Sequence, residues 1–302
     1  MHPVLTAQVA AIRAAERVSP DAAAGLALPL FMRVGASLPV RPSDRAVHDS
    51  ARRSLLRVRG RDVVAYEWGS GPDTVLLMHG WRGRASQFAP IVRELRAQGL
   101  RLVAVDAPAN GESAGRRTDI RDYVAAVHAL HSHHGRFRAI IGHSFGSLAA
   151  LAAVREGVST GGVVAVGGMA DARYVFGTFA ARLGTGPATA DALAERFARR
   201  IFPGEPDSWA RFDAVASPLP AGVPLLIVHD RDDREVSVGE ALRLHDAHGE
   251  RSRLVLTSGS GHSRVLGADA ALDAITAFVP GGPAGVDAAG LGRAAAASAR
   301  PQ

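Results

Sequence analysis

Residues 138–154 hold the densest chemical signal in the chain. The run Arg138-Ala139-Ile140-Ile141 leads into Gly142-His143-Ser144-Phe145-Gly146 and then into Ser147-Leu148-Ala149-Ala150-Leu151-Ala152-Ala153-Val154. That is the order of a buried strand, a sharp turn and a helix, with a serine at the apex. A serine hydroxyl is a weak nucleophile unless a tight turn presents it beside a base and backbone N–H donors. Glycines two before and two after let strand and helix approach closely. The bare G-x-S-x-G pattern also falls at Ser113 and Ser159. Ser113 stands in a Pro/Asn/Gly loop followed by Arg116-Arg117-Thr118-Asp119, with no apolar helix after it. Ser159 follows a helix and precedes the strand Gly162-Val163-Val164-Ala165-Val166, the reverse order. Context selects Ser144.

A nucleophilic serine requires a base and a group to orient that base. Of the twelve histidines, His262 lies in the loop Thr257-Ser258-Gly259-Ser260-Gly261-His262-Ser263, after the last apolar run and before the final helix. Ligands gather at the carboxyl ends of parallel strands, so an imidazole there can reach a serine at a neighbouring strand end. His143 leaves the turn in another direction and is expected to pack. His128, His131, His133 and His134 close a helix, where histidine suits the C-terminal dipole; metal binding is the rival use, with no acidic ligand nearby in sequence. For the acid, His229-Asp230-Arg231-Asp232-Asp233-Arg234-Glu235-Val236 follows the run Leu225–Val228, and three aspartates compete. Asp171, just past the preceding strand, is a further candidate.

The elements that must hold these groups alternate. Val75–Met78, Leu102–Val105, Ala139–Ile141, Val163–Val166, Leu225–Val228 and Leu254–Leu256 are short aliphatic runs suited to strands buried on both faces. Helical patterns lie between them at Ser86–Gln98, Asp119–His133, Gly146–Glu156, Val238–Ala247 and Ala268–Phe278. Thr118 or Asp119 caps the second, whose Ile120, Tyr123, Val124, Val127 and Leu130 share a face. Leu55–Arg59 and Val63–Trp68 open the sheet as a hairpin. The expected architecture is a mostly parallel, doubly wound α/β sheet with helices on both faces. Residues 1–54 read as an N-terminal arm packed on the main domain, 55–279 as that domain, and 280–302 as a disordered Gly/Ala/Pro tail. About fifty residues, roughly 171–222, interrupt the alternation and carry half of the ten phenylalanines. A small satellite core and a cap over an apolar pocket are the two readings of that insert.

Composition narrows the chemistry. The 302 residues contain no cysteine, which excludes disulfides, a thiolate nucleophile and Cys-ligated zinc. They contain no lysine, which excludes a lysine Schiff base and a lysine-dependent phosphate loop. The basic excess behind the net charge of +6 is all arginine, scattered among Ala, Gly and Asp with a modest group at Arg52, Arg53, Arg57, Arg59 and Arg61, a weak footprint from which no nucleic-acid partner is expected. No apolar run is long enough to span a bilayer, and the start lacks a signal peptide's pattern, so no stable membrane insertion and a cytoplasmic location are expected.

From about Val63 to Phe278 the chain resembles the α/β-hydrolase superfamily, through five local motifs in the family's order. The elbow at Ser144 is the first. His229-Asp230-Arg231-Asp232-Asp233-Arg234-Glu235-Val236 is similar to the family's His-Gly-x-x-Asp-x-x-Val, with Asp230 in place of the glycine, which implies Asp233 as the acid ahead of Asp232. The Gly261-His262 loop implies His262 as the base. His79-Gly80-Trp81 resembles the oxyanion loop, implying backbone N–H donors from Trp81 and Phe145. Asp106-Ala107-Pro108-Ala109-Asn110-Gly111-Glu112-Ser113 resembles Asp-x-Pro-x-His-Gly-x-Ser, with Asn110 at the histidine, and is expected to brace that loop. The resemblance also favours a helical cap in the insert, with Phe176, Phe179, Phe202 and Trp209 lining a substrate pocket.

Together these imply a serine hydrolase that cleaves a small-molecule carboxylic ester through an acyl-enzyme on Ser144, with His262 and Asp233 completing a triad and neither cofactor nor metal. The same triad would serve a thioesterase, an acyltransferase or a cofactor-free perhydrolase. A non-catalytic ligand-binding homologue is the alternative of a different class.

Overall fold

The aliphatic runs are the strands of one sheet: β1 Arg52–Val58, β2 Arg61–Trp68, β3 Thr74–Met78, β4 Arg101–Val105, β5 Ala139–His143, β6 Val163–Val166, β7 Leu225–Asp230 and β8 Ser252–Thr257. The helices are α1 Pro3–Glu16, α2 Pro20–Phe31, α3 Arg45–Asp49, α4 Ala89–Ala97, α5 Ile120–His134, α6 Phe145–Arg155, α7 Arg173–Leu183, α8 Pro187–Ile201, α9 Val238–His248, α10 Gly261–Arg264 and α11 Asp269–Ala288. This computed structural model describes residues 3–205 and 207–291, and it divides into two units: 34–170 with 214–291, and 3–33 with 171–213.

In the larger unit the strand order is β1-β2-β4-β3-β5-β6-β7-β8. Only β2 runs against its neighbours; the other pairs are parallel. Every residue of β3, β5, β6 and β7 is buried, as runs of Val, Ile and Leu covered by helices on both faces require. The edge strand β1 is mostly exposed and carries three arginines. The register pairs Met78 with Gly142, His143 with Val166, and Val166 with Val228. β5 and β6 therefore end level, with β3 one residue short of them and β7 two residues beyond, and the loops leaving these carboxyl ends share one rim. Asp119 caps α5 by accepting from Arg121 N at 3.0 Å, and the buried Asp122 ties that helix to the hairpin through Arg59 at 2.9 Å and through Arg61.

The smaller unit corrects the expected boundaries. The segment expected to form one N-terminal arm is divided between the two units. α1 and α2 pack with α7 and α8 of the insert, while residues from 34 onward belong to the larger unit, where Trp68 Nε1 donates to Val47 O at 2.8 Å. The cause lies in α2, whose Ala23, Ala24 and Ala27 are fully buried and let helices approach closely. Phe31 at its end stacks on Phe176 at 4.7 Å and meets the edges of Phe179 and Phe197. Polar ties flank this core: Glu16 accepts from Thr189 Oγ1 and Gly186 N, each at 2.7 Å, and Asp21 pairs with Arg196. The insert is also shorter than expected, running from Asp171 to Asp213, which form a bridge across its base.

The expected tail from residue 280 is partly a helix instead. α11 continues through Pro280 and Pro283 after a break at Gly282, whose φ of 60° only glycine adopts freely. Val279 and Val286 are buried, and Arg253 grips Asp287 at 2.6 Å. Apolar burial at Val286 overrides the Gly/Pro composition. Residues 292–302 of the expected tail lie outside the described residues.

Candidate active site

The turn after β5 is built as its glycines suggest. Ser144 has φ 53° and ψ −123°, a conformation that non-glycine residues adopt only under constraint. Its N–H donates to Val166 O at 2.9 Å, and its carbonyl accepts from Ser147 N at 2.9 Å and Ser147 Oγ at 2.6 Å. A Cβ on Gly142 would lie 2.4 Å from Ser147 Cα, and one on Gly146 would lie 2.1 Å from Met78 O. Strand, turn and helix thus close only with glycine at both positions. The two rival serines are engaged elsewhere. Ser113 Oγ donates to Asp106 O at 2.5 Å and accepts from Val64 N at 2.9 Å, and the exposed Ser159 contacts His131 at 2.8 Å.

Asp233 stands on the loop after β7, and His262 in the segment after β8. His262 Nδ1 donates to Asp233 Oδ2 at 2.7 Å, with the carboxylate 1% and the imidazole 9% exposed. Asp233 Oδ1 accepts from Glu235 N at 2.7 Å and Val236 N at 3.0 Å. Burial by itself would raise the carboxyl's pKa. The His262 contact and these N–H groups outweigh it and hold Asp233 below its ordinary value. His229 Nε2 donates to Val236 O at 3.0 Å and closes the loop around the acid.

The other aspartates have different duties. Asp230 is fully buried and accepts from Thr257 Oγ1 at 2.7 Å, Ser260 N at 3.0 Å and Asp232 N at 3.0 Å, joining the two loops from beneath. Asp232 accepts from Gly259 N at 2.7 Å, and Asp171 accepts from Tyr174 N at 3.2 Å near the start of α7.

His143 brings His262 and the elbow together. Its Nε2 donates to His262 O at 2.9 Å, and the two rings lie 4.8 Å apart. Gly167, in the turn after β6, lies behind the acid–base pair with φ 54°. A Cβ there would sit 3.4 Å from His262 Nδ1 and 3.6 Å from Asp233 Oδ2. Its neighbour Gly168 is just as confined, because a Cβ there would meet Ser147 Oγ at 2.3 Å. Neither glycine was singled out in the sequence, although a Gly-Gly pair directly after a buried strand was the available signal.

The loop after β3 abuts the elbow: a Cβ on Gly80 would fall 2.9 Å from Ser144 Cβ. Gly80 O accepts from His79 Nδ1 at 2.7 Å, Gly83 N at 3.0 Å and Tyr123 Oη at 3.2 Å. In a trans peptide the next N–H opposes this carbonyl, so Trp81 N–H is directed away from those three donors. Phe145 N begins α6 and has no acceptor one turn back. The rings of Trp81 and Tyr123 meet Phe145 edge-on at 5.6 Å and 5.0 Å. Asp106 braces this loop, accepting from Ala85 N at 2.7 Å, Tyr66 Oη at 2.9 Å and Glu112 N at 2.7 Å, while His79 Nε2 accepts from Ala107 N at 2.9 Å.

Phe176, Phe202 and Trp209, expected to line a pocket, are buried in the smaller unit's own core, with Phe179 half-buried beside them. Phe176 meets Trp209 edge-on at 5.1 Å, and Phe202 packs on Phe212 at 5.7 Å. In the histidine cluster, His128 contacts Glu156 at 3.2 Å, and among the described residues no group of three or more His, Cys, Asp or Glu is placed to hold a metal ion. No single helix there is long and apolar enough to cross a membrane.

An elbow serine at the rim of a mostly parallel sheet, with a carboxylate–imidazole pair on the two loops beyond it, defines a class, and comparison with known proteins gives the same one. The profile of the alpha/beta hydrolase family matches residues 75–278, and the chain belongs to that family. No curated protein sequence matches it significantly. Among solved structures, the mouse alpha/beta hydrolase domain-containing protein 10 is similar at 15% identity and TM-score 0.59, covering 76% of this chain and 97% of its own. An esterase from Pyrococcus furiosus is similar at 18% identity and TM-score 0.56, covering 76% and 89%. An esterase from a Rhodococcus species is similar at 18% identity and TM-score 0.52, covering 77% and 99%. At such identities the likeness is one of fold.

Proposed function

We propose that this hydrolase cleaves carboxylic esters through an acyl-enzyme on Ser144. His262 removes the hydroxyl proton as Ser144 Oγ attacks the acyl carbon. Asp233 fixes the imidazole tautomer and stabilises the imidazolium that forms. The N–H groups of Trp81 and Phe145 bind the tetrahedral oxyanion. His262 then returns the proton to the departing alcohol. Water, activated by the same imidazole, releases the acid and regenerates the serine. The observation that carries this reading is the 2.7 Å contact between Asp233 and His262, made where His143 ties the His262 backbone to the elbow. The two esterases of similar fold support the ester as the substrate class.

A p-nitrophenyl ester series of increasing acyl length, run on purified protein and on Ser144→Ala, tests it. Hydrolysis lost in the variant is the expected result, and its length optimum sizes the acyl site. Acyl thioesters assayed in parallel separate a thioesterase from an esterase. Tight binding of esters with negligible turnover in both proteins would instead mark a ligand-binding homologue.

A further inference from the structure

The second residue of the elbow is a histidine that the reaction above does not use. His143 is 4% exposed, with its Nε2 2.9 Å from the carbonyl oxygen of His262. A carbonyl only accepts, so Nε2 carries the proton and Nδ1 is the bare nitrogen. That Nδ1 is buried without a partner among the described residues. A buried polar atom left unpaired costs free energy, so packing alone would be better served here by phenylalanine or leucine. What the imidazole supplies, and an apolar side chain cannot, is the Nε2–H bond.

That bond joins the sheet to the segment after β8. His143 is the last residue of β5 and pairs with Val166. His262 stands in the short helix α10, just after Gly259 at φ 82° and Gly261 at φ 66°. Asp230 and Asp232 hold the loop upstream, at Ser260 N and Gly259 N. His143 acts at His262 itself.

We propose that His143 is a positioning residue, whose Nε2–H fixes the backbone of His262 so that the imidazole keeps its place against Asp233 and the elbow. The proposal rests on the Ser144–His262–Asp233 reading. Burial, with His262 close by, pushes the pKa of His143 down to about 3, so the ring stays neutral through the working range and the bond does not switch off. The charged or titratable groups around the pair are Asp233, His229 and His79, the first two on β7 and its loop and the third after β3.

Two variants and one spectrum test this. His143→Phe keeps a ring and removes the donor; His143→Gln returns an amide N–H near the position of Nε2. The expected result is kcat down about tenfold or more in His143→Phe with KM little changed, the loss of roughly one buried hydrogen bond in the transition state, and most of it recovered in His143→Gln. The low-field proton resonance of His262 Nδ1–H should be present in wild type and His143→Gln and broadened in His143→Phe, a change that a merely space-filling role would not cause. If His143→Phe fails to fold, nitrogen spectra of the wild-type ring decide: a neutral Nε2–H tautomer from about pH 5 to about pH 8 supports the proposal. Wild-type kcat and an unchanged resonance in His143→Phe, or an Nδ1–H or titrating ring in the wild type, would overturn it. Activity retained by Ser144→Ala would instead sink the triad reading and leave the His143 spectra unaffected.

Discussion

Asp233 and Asp230 lie three residues apart, and only Asp233 touches the imidazole of His262, at 2.7 Å; Asp230 is turned beneath the same loops to hold Thr257 and Ser260. On the proposed reaction, Asp233 serves catalysis and Asp230 the scaffold. Asp233→Asn should cut kcat by about four orders of magnitude, because an amide in place of the carboxylate no longer holds the imidazole in its working tautomer. Asp230→Asn should cost about 1–3 kcal/mol of stability through lost acceptors while turnover per folded molecule falls far less. Urea unfolding beside steady-state kinetics separates the outcomes. A more damaging kinetic effect at Asp230 would reassign the acid.

Gly167 and Gly146 should fail differently. An alanine at Gly146 would collide with Met78 O at 2.1 Å and His79 O at 2.5 Å, both backbone atoms, so the variant should not accumulate folded. At Gly167 the added methyl finds ordinary contacts of 3.4–3.6 Å with His262 and Asp233, but must adopt φ 54°. We expect Gly167→Ala to fold with about 1–2 kcal/mol less stability and with reduced kcat, since relief of strain moves the turn against the acid–base pair. Thermal melts and kinetics of both variants check the contrast.

Tyr123 acts on the loop after β3, the proposed oxyanion loop, from a distance of one peptide. Its hydroxyl is one of three donors on Gly80 O, the carbonyl whose orientation sets that of Trp81 N–H. Tyr123→Phe removes one donor of three. A loss of about 0.5–1.5 kcal/mol is expected, read as a kcat reduction of up to about tenfold with KM unchanged. A change confined to KM would place the tyrosine in substrate binding instead.

His143 also gives the protein a defined acid response. In the unfolded chain its pKa is the ordinary 6.5, whereas burial lowers it to about 3 in the fold. Between these values the unfolded state binds a proton that the native state does not. The stability is therefore complete above about pH 6.5 and declines as the pH falls, by up to about 1.4 kcal/mol per unit for one such group. Burial lowers His79, His229 and His248 in the same direction. Asp233 loses its own contribution only further down, below the usual carboxylate range, as its depressed pKa is reached. Unfolding free energies of His143→Gln should show a shallower decline below pH 6.5 than wild type, by about one proton. Equal slopes would mean that the ring is already protonated in the fold.

Much of this site was legible along the chain because its determinants are local. Two glycines flanking Ser144, an apolar strand before it and an apolar helix after it belong to one continuous segment, and close packing at that turn leaves the residue types little freedom. The shared rim followed from the β–α alternation, which put His262 and the Asp230–Asp233 stretch on the loops leaving neighbouring strands. The family resemblance already favoured Asp233 among the aspartates, but the contact itself is tertiary, since it depends on which carboxylate the backbone turns toward an imidazole from another loop. It also revealed Gly167, Tyr123 and His143, whose partners lie far away in sequence. The pairing of α1 and α2 with the insert, and the burial of Val286 beyond two prolines, were hidden for the same reason: apolar side chains show in sequence that they will be buried, but not against what.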